Sequence, residues 1–591
     1  MDGRWGSDQA GEPTYRLRPG PDGFAVPPGV DPWHLVGSPG LLALAHASGR
    51  TSLYATASGM VRLADRSGRW SVDGVAVVDP EVTFGGGWAS WEADVAGVRV
   101  CRRVEADPDR PVLRIGWEVE ADGPVTIGEE WVVEHLPLVA GALMSRAVPP
   151  PSTHRGTQRV VWRAAFALST AMRAATDAVR AGLGRRYPLR AALAEGGHAL
   201  RWAPVRHPRP PRRATLLRRD LPTLVLRAVG PGRATATAGP VPTVELRLDP
   251  DGRGLATAAL ELELVPPPGP VPGGGAGNVS GERAAAAEAP RSAVPVAVVP
   301  ALAVADLEGP DQLVVEARWN LAQLRGLRVP DACTGHTFVM QGSAYAFVHG
   351  LHGAPRDEAL VSVPLSVLDP ATARQAVLAI AAMVAPDGSL HYARTGFGLP
   401  VSGGVHARPT DLPLFFLWAL TEQVWATGDR SLLGERPRPF GRRSGAGVGA
   451  RDGAAGEGQA DAEADRPTVA ELAERSLGWL AGEVGTGEHG MVRVGSGDWS
   501  DPIALMVRRG RAFHRHGESA FNAGMACYVL PRFAALVEAD RPDVARRARA
   551  MAEAQAVALD EAWTGRWYQR GWDGRGGPIG RDHCFLDAQV W

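Results

Sequence analysis

The 591-residue chain contains no lysine: its 63 basic residues are all arginine, set against 64 acidic residues. Without lysine no Schiff base can form, which excludes pyridoxal-phosphate and lysine-aldolase chemistry. No P-loop lysine and no kinase strand lysine exist either, so the usual nucleotide-dependent phosphoryl-transfer machines are excluded. An excess of one charge sign is also missing. A formal net charge of −1 argues against a general nucleic-acid binder or a membrane-surface binder. Cysteine is scarce. Cys101, Cys333, Cys527 and Cys584 lie far apart, with no CxxC or Cys/His metal spacing, so reduced buried thiols are expected rather than a disulfide scaffold or a zinc site. The start, MDGRWGSDQAGEP, lacks a basic-then-apolar leader. The best apolar run, Val294 to Val304, is short and carries two prolines, so no membrane span is expected. These absences lead us to expect a cytoplasmic protein without a cofactor or metal.

What is present supports large cores: 45% of residues are hydrophobic and 21% charged, and the length suggests roughly two to four domains. Tryptophan is over-represented, with 18 Trp against 13 Phe and 7 Tyr; its faces pack in cores and stack on sugar rings. The first half alternates with period two. Leu42 to Val61, Ala89 to Val95, Val98 to Val104, Val112 to Glu120 and Pro124 to Val133 read as strands separated by Gly, Pro and Asp turns. Thr223 to Val229, Val244 to Leu248 and Ala256 to Val265 read as returning strands, and Val160 to Ala194 reads as a helical excursion between the two sets. Pro266 to Pro290 has linker composition, and Arg436 to Arg466 that of a surface insertion. From Pro310 the period becomes helical. Asp311 to Arg325, Ala371 to Val384, Leu412 to Ala426, Thr468 to Glu483, Ser519 to Glu538 and Val544 to Trp563 are expected helices. The expected architecture is multidomain, β then α: a β-sandwich over residues 1–265, a linker and linker helix over 266–330, and a helical catalytic domain over 331–591 with an insertion at 434–466.

Polar loop motifs in the helical half carry the candidate chemistry. Gly497-Asp498-Trp499-Ser500-Asp501-Pro502 places two carboxylates around a tryptophan. Burial beside an indole can raise a carboxyl pKa and make a general acid, and an Asx turn with a buried tryptophan has the same pattern. His514-Arg-His-Gly-Glu-Ser519 leads into a helix that Ser519 can cap, with Glu518 a second carboxylate or a helix-terminus charge. Arg356-Asp357, in a glycine-rich loop, can bind sugar hydroxyls or pair internally. Asp411 reads as the N-cap of the Leu412 helix. His349 and His352 are spaced i, i+3 without a third ligand nearby. The stretch from Gly565 to Trp591, with Trp567, Tyr568 and Gln589, has the composition of a pocket rim or of packing between helices.

In order, Arg356-Asp357, Asp387-Gly-Ser389, Thr410-Asp411, Ala426-Thr-Gly-Asp429, Gly497-Asp-Trp-Ser-Asp501, Gly517-Glu-Ser519, Trp567-Tyr568, Gly577-Pro-Ile-Gly580 and Asp587-Ala-Gln589 resemble the inverting β-glycoside phosphorylases (cellobiose and chitobiose phosphorylases) and related domains of cyclic glucan synthases. More broadly the helical half resembles the six-hairpin (α/α toroid) glycosidases. The resemblance implies an N-terminal β-sandwich, a linker helix and an (α/α)6-type toroid. It implies that Asp501 is the general acid, that Trp499 lines a sugar subsite and that Asp357 binds sugar hydroxyls. Glu518 is a further candidate catalytic carboxylate; Arg356, Asp411, Asp498, Trp567, Tyr568 and Gln589 are further candidate substrate ligands. Three departures stand out. Val339-Met-Gln-Gly-Ser343 has Gln341 where the family carries its phosphate-binding arginine, Gly350-Leu-His-Gly353 replaces the region of a sugar-binding arginine, and Ser500 replaces an asparagine. Phosphorolysis needs one acid and a bound phosphate, whereas inverting hydrolysis needs an acid and a base. The missing arginine therefore turns the expectation towards an inverting glycoside hydrolase acting on oligosaccharides, with a phosphorylase using inorganic phosphate and a non-catalytic carbohydrate-binding relative as alternatives. About seven helical segments fall short of a ring of twelve, so the toroid is expected to be incomplete at Trp591.

Overall fold

Alternating side chains build the first half as antiparallel sheet. The computed structural model describes most of residues 3–137, 189–265 and 311–591; residues 138–188, 205–222, 266–310, 395–399, 402–408, 441–464, 501–502, 504–509 and a few shorter stretches lie outside the described residues. The largest sheet has ten strands, in spatial order Gly3–Ser7, Pro13–Leu17, Glu81–Gly85, Trp88–Val95, Val98–Ala106, Val112–Glu120, Leu255–Val265, Thr223–Val229, Ala199–Pro204 and Leu189–Ala194. Two five-stranded sheets accompany it. One holds Arg69–Val72, Val125–Glu130 and Thr243–Leu248 at its centre, the other Val61–Ser67, Thr51–Ala55 and Leu41–His46. Inward residues of all three sheets share one core, including Trp70, Trp91, Trp117, Trp131 and Trp202. Much of the tryptophan excess is thus structural. Within this core Arg102 and Glu129 are fully buried and paired, Nε to Oε2 at 3.2 Å, with the guanidinium 5.0 Å from the Trp91 ring. Burial lifts the Glu129 carboxyl to about 6, against the pull of Arg102.

The helical half begins with α1 (Asp311–Gly326). Its Trp319 packs 4.9 Å from the His34 ring and 5.1 Å from Trp5, and its C-terminus meets strand Trp33–Ser38 so closely that a Cβ on Gly37 would lie 2.0 Å from the Gly326 carbonyl oxygen. Leu42, Leu44, Tyr54 and Met60 of the sheet share a core with Phe338, Met340 and Ala379 of the helical half. There follow α2 (Pro355–Leu368), α3 (Pro370–Ala381), α4 (Leu412–Thr427), α5 (Val469–Trp479), α6 (Gly510–His516), α7 (Ala520–Val537) and α8 (Pro542–Ala562). α7 packs on α8 and α4, and α2 on α3 and α4, around a common apolar core. Caps explain the starts. Asp369 accepts from Thr372 N before Pro370 of α3, Thr468 and Glu471 form a capping box on α5, and Ser519 accepts from Asn522 N on α7. α7 is long and apolar enough to cross a membrane, yet 67% of it is buried inside the protein, as a core helix requires.

The order β then α agrees with the expectation. Two local readings are corrected. Residues 189–194 form a strand paired with Ala199–Pro204, not the end of a helix; edge pairing overrides the helical preference of Ala, Leu and Arg. The rest of the expected excursion, 160–188, lies outside the described residues, as do the linker 266–290 and the body of the insertion. The ends of that insertion meet, with Arg436 donating to the Arg466 carbonyl and Val469 N to Glu435 O at 2.8 Å. Arg356-Asp357 stands in the first turn of α2 rather than in a loop: Pro355 starts the helix, and Asp357 and Glu358 favour its N-terminus.

Candidate functional site

Segments distant in sequence meet at one cavity. α2 presents Arg356 and Asp357 from its first turn, the loop after Gly497 brings Trp499, and Asp411, the residue before α4, stands behind Arg356 outside the wall. The cavity encloses about 130 Å³, with Gln341, Gly353, Arg356, Asp357, Tyr392 and Trp499 in its wall. Arg356 is buried and pairs with fully buried Asp411, Nε to Oδ2 at 3.1 Å and Nη2 to Oδ1 at 3.3 Å. Its Nη1 donates to the Trp499 carbonyl at 3.4 Å. Asp411 holds the N-cap position of α4 but makes no side-chain cap bond. Its carboxylate turns to Arg356 instead, which corrects the capping expectation: a fork of guanidinium donors outcompetes one backbone N–H. Trp499 is 38% exposed, with its ring 6.2 Å from Phe521 and nearly parallel to it. An indole half open to a polar cavity suits the apolar face of a sugar.

The cavity wall is tied down from behind. Gln341 N donates to His352 O, His352 N to Arg394 O and Arg394 N to Gly353 O, all at 3.0–3.1 Å. Arg394 is fully buried, forms an ion pair with Glu358 and lies 4.3 Å from the Phe338 ring. Burial raises the Glu358 carboxyl to about 7 although Arg394 opposes the shift. Neither Glu358 nor Arg394 was picked out from the sequence; 36 residues separate them.

Asp498 is not in that wall. It is fully buried, accepts from Ser500 N at 3.0 Å in an Asx turn, from Ser519 Oγ at 2.6 Å and from Arg570 Nη2 at 2.8 Å. Arg570 also donates to Asp587 at 2.9 Å, and together the two carboxylates offset its burial and keep it charged. This node fixes the stem of the Trp499 loop to α7 and to the 565–591 segment. Thr410 adds a second tie, donating to the carbonyls of Arg493 and Val494 at 2.9 and 3.1 Å. Asp501, the expected general acid, lies outside the described residues. Ser500 alone separates it from Trp499 in the sequence.

Glu518 stands elsewhere. Its buried carboxylate accepts from His489 N and Met491 N at 3.0 and 3.1 Å and from His489 Nδ1 at 2.6 Å, and it borders a different cavity. Trp567, Tyr568 and Gln589 form a local clamp: Trp567 Nε1 donates to Gly580 O at 2.9 Å, and Gln589 exchanges bonds with the Tyr568 backbone at 2.7 and 2.9 Å. They too are absent from the wall of the first cavity. His352 is fully buried, and burial lowers its imidazole to about 4; His349 lies outside the described residues. Among the described residues, no group of three His, Cys, Asp or Glu could hold a metal.

Residues 459–591 match the family model described as the glycosyl hydrolase 94 superfamily, catalytic domain. A curated relative, 3-O-beta-D-glucopyranosyl-beta-D-glucuronide phosphorylase of Paenibacillus borealis, is 32% identical over 134 residues. That stretch is 22% of this chain, and it spans only 16% of the relative's length. Solved structures with similarity include a bacterial glucoamylase complexed with acarbose, at TM-score 0.40 and 9% identity over 94% of this chain and 72% of that one. A heparan sulfate lyase HepC mutant from Pedobacter heparinus follows at TM-score 0.21 and 6% identity over 42% and 38%. At those scores the fold rests on strand pairing and helix packing alone. The C-terminal segment is thus related to the superfamily that the ordered motifs imply. The match includes Asp498, Trp499, Asp501 and Glu518, whereas Arg356, Asp357 and Asp411 precede it.

Proposed function

We propose that this chain acts on β-linked oligosaccharides, and that it cleaves them by phosphorolysis with inversion. One observation supports it above the others: Arg356 and Asp357 converge with Trp499 on one cavity, two residues before the acidic position of the motif. In this reading Asp357 and the Arg356–Asp411 pair bind hydroxyls of the sugar ring, and the Trp499 indole lies against its apolar face. Asp501 donates its proton to the glycosidic oxygen as the bond from the anomeric carbon to that oxygen breaks. A phosphate oxygen attacks the anomeric carbon from the opposite face, giving a sugar 1-phosphate of inverted configuration and a shortened acceptor. The phosphorylase relative favours this over hydrolysis, the reverse of the weighting drawn from the motif departures alone. The test is incubation with β-linked disaccharides, with and without inorganic phosphate. Phosphate-dependent sugar 1-phosphate is expected.

A second reading, inverting hydrolysis, draws on the charge of the cavity wall. Gln341 stands in the wall, and Arg356, the one cation among the described wall residues, is neutralised by Asp411. Water as nucleophile needs a base, and Glu518 is committed to three N–H donors. Free reducing sugar at a phosphate-independent rate would select this reading. Oligosaccharide binding without turnover would select a carbohydrate-binding role.

A further inference from the structure

The cavity beside Glu518 is larger than the first, about 300 Å³, and is bordered by His489, Arg493, His516, Glu488 and Glu518. We propose that it is a binding site for a phosphoryl oxyanion, with Arg493 as its principal ligand.

Arg493 differs from the other interior arginines of the helical half. Arg356, Arg394 and Arg570 each face a carboxylate. Arg493 enters no ion pair among the described residues, and its Nε–H is buried without a hydrogen-bond partner. A buried cationic donor left unpaired is costly, and a bound oxyanion removes that cost. The main chain at Arg493 is anchored on both sides: its N donates to Gly485 O at 3.1 Å and its carbonyl accepts from Thr410 Oγ1 at 2.9 Å. A guanidinium fork matches two oxygens of a tetrahedral oxyanion.

His489 is set for the same ligand. Its ring lies flat on Trp572, with centroids 3.6 Å apart and planes 5° apart, and its Nδ1–H donates to Glu518. That bond fixes the tautomer and leaves the Nε2 lone pair to accept from a protonated oxygen of the phosphoryl group. Glu518 does not compete with a ligand for Arg493, because its two oxygens already serve His489 and Met491. Glu488 is exposed, so solvent screens it. Exposed His516 borders the opening. The cavity has room beyond one phosphoryl group, so the source is either inorganic phosphate or a hexose phosphate. The site is independent of the chemistry proposed for the first cavity, since it shares none of its bordering residues.

Crystals of the chain soaked in arsenate, an anomalously scattering phosphate analogue, locate the ion. Calorimetry with inorganic phosphate and with a hexose phosphate measures affinity and tells the two sources apart. An arsenate peak at hydrogen-bond distance from the Arg493 guanidinium is expected. Affinity is expected to fall about tenfold or more in Arg493→Gln and less in the surface variant His516→Gln, which tests the site even if the first variant folds poorly. No arsenate peak beside Arg493, or phosphate affinity unchanged in both variants, would overturn the proposal. Loss of glycosidic activity bears only on the first cavity.

Discussion

Individual arginines illustrate how charge is placed in a chain without lysine. Arg356 reaches Asp411 across 55 residues, and Arg570 reaches Asp498 across 72. No spacing rule announces such pairs, so Asp498 read as a possible substrate ligand and Asp411 as a simple cap. Asp357 and Trp499 were legible because the motif order marks them, and the fold then brings them to one cavity. Asp411→Asn removes the fully buried carboxylate that pairs with Arg356. We expect a loss of about 3–5 kcal/mol in denaturant unfolding, together with weakened oligosaccharide binding by calorimetry. Arg570→Met strands Asp498 and Asp587. A loss of similar size is expected, with an Asp498→Asn/Arg570→Met double variant recovering part of it, because removing both members of a buried pair costs less than removing one. Equal losses in the single and double variants would show that Asp498 and Arg570 do not act as a pair.

At the scale of elements, alternation located the strands and helical periodicity located α1, α3, α4, α5, α7 and α8. α2 was not among the expected helices because the glycine-rich stretch before it placed Arg356-Asp357 in a loop; Pro355 in fact starts the helix and Pro364 lies inside it. The strand Leu189–Ala194 was misread because its composition favours helix and only its neighbour makes it sheet. The joint between the sheets and α1 carries a pH dependence. His34 donates to Gly85 O at 2.8 Å and packs against Trp319, and burial lowers its imidazole from 6.5 to about 4. Between those values the unfolded chain binds more protons than the folded one, so stability is fully present above pH 6.5 and declines as pH falls towards 4. The contribution is about 3 kcal/mol. Glu129 and Glu358, raised to about 6 and about 7, have the opposite sign: they favour the folded state most below pH 4.5, and that contribution is lost as pH rises to 7. His34→Gln should flatten the fall in melting temperature from pH 6.5 to 4 while leaving the change above 6.5 intact; an unaltered acid limb would refute the assignment. The turn at Gly388 makes a second test. With φ at +91° and a virtual Cβ 2.1 Å from the Arg475 carbonyl oxygen, it joins the end of α3 to α5. Gly388→Ala should cost more than about 2 kcal/mol, measured by chemical denaturation.

The whole molecule joins a large antiparallel β region to a helical half through α1 and a shared apolar seam, and the first cavity lies in the helical half, where Arg356, Asp357 and Trp499 meet. The order β then α was legible from the change of period near residue 310. The side-chain networks behind the cavity were not, because they join residues whose proximity only the packed helices create. Most of the motif series that carries the family resemblance proves to hold loops in place, through Asp498, Glu518 and Gln589, rather than to border the cavity. The most direct measurement is product analysis by NMR of this chain with a β-linked disaccharide and inorganic phosphate, alongside Asp501→Asn. Sugar 1-phosphate of inverted configuration, formed only with phosphate and reduced at least about a hundredfold by the substitution at unchanged melting temperature, is the expected result. Free sugar formed without phosphate, or undiminished turnover in Asp501→Asn, would contradict it.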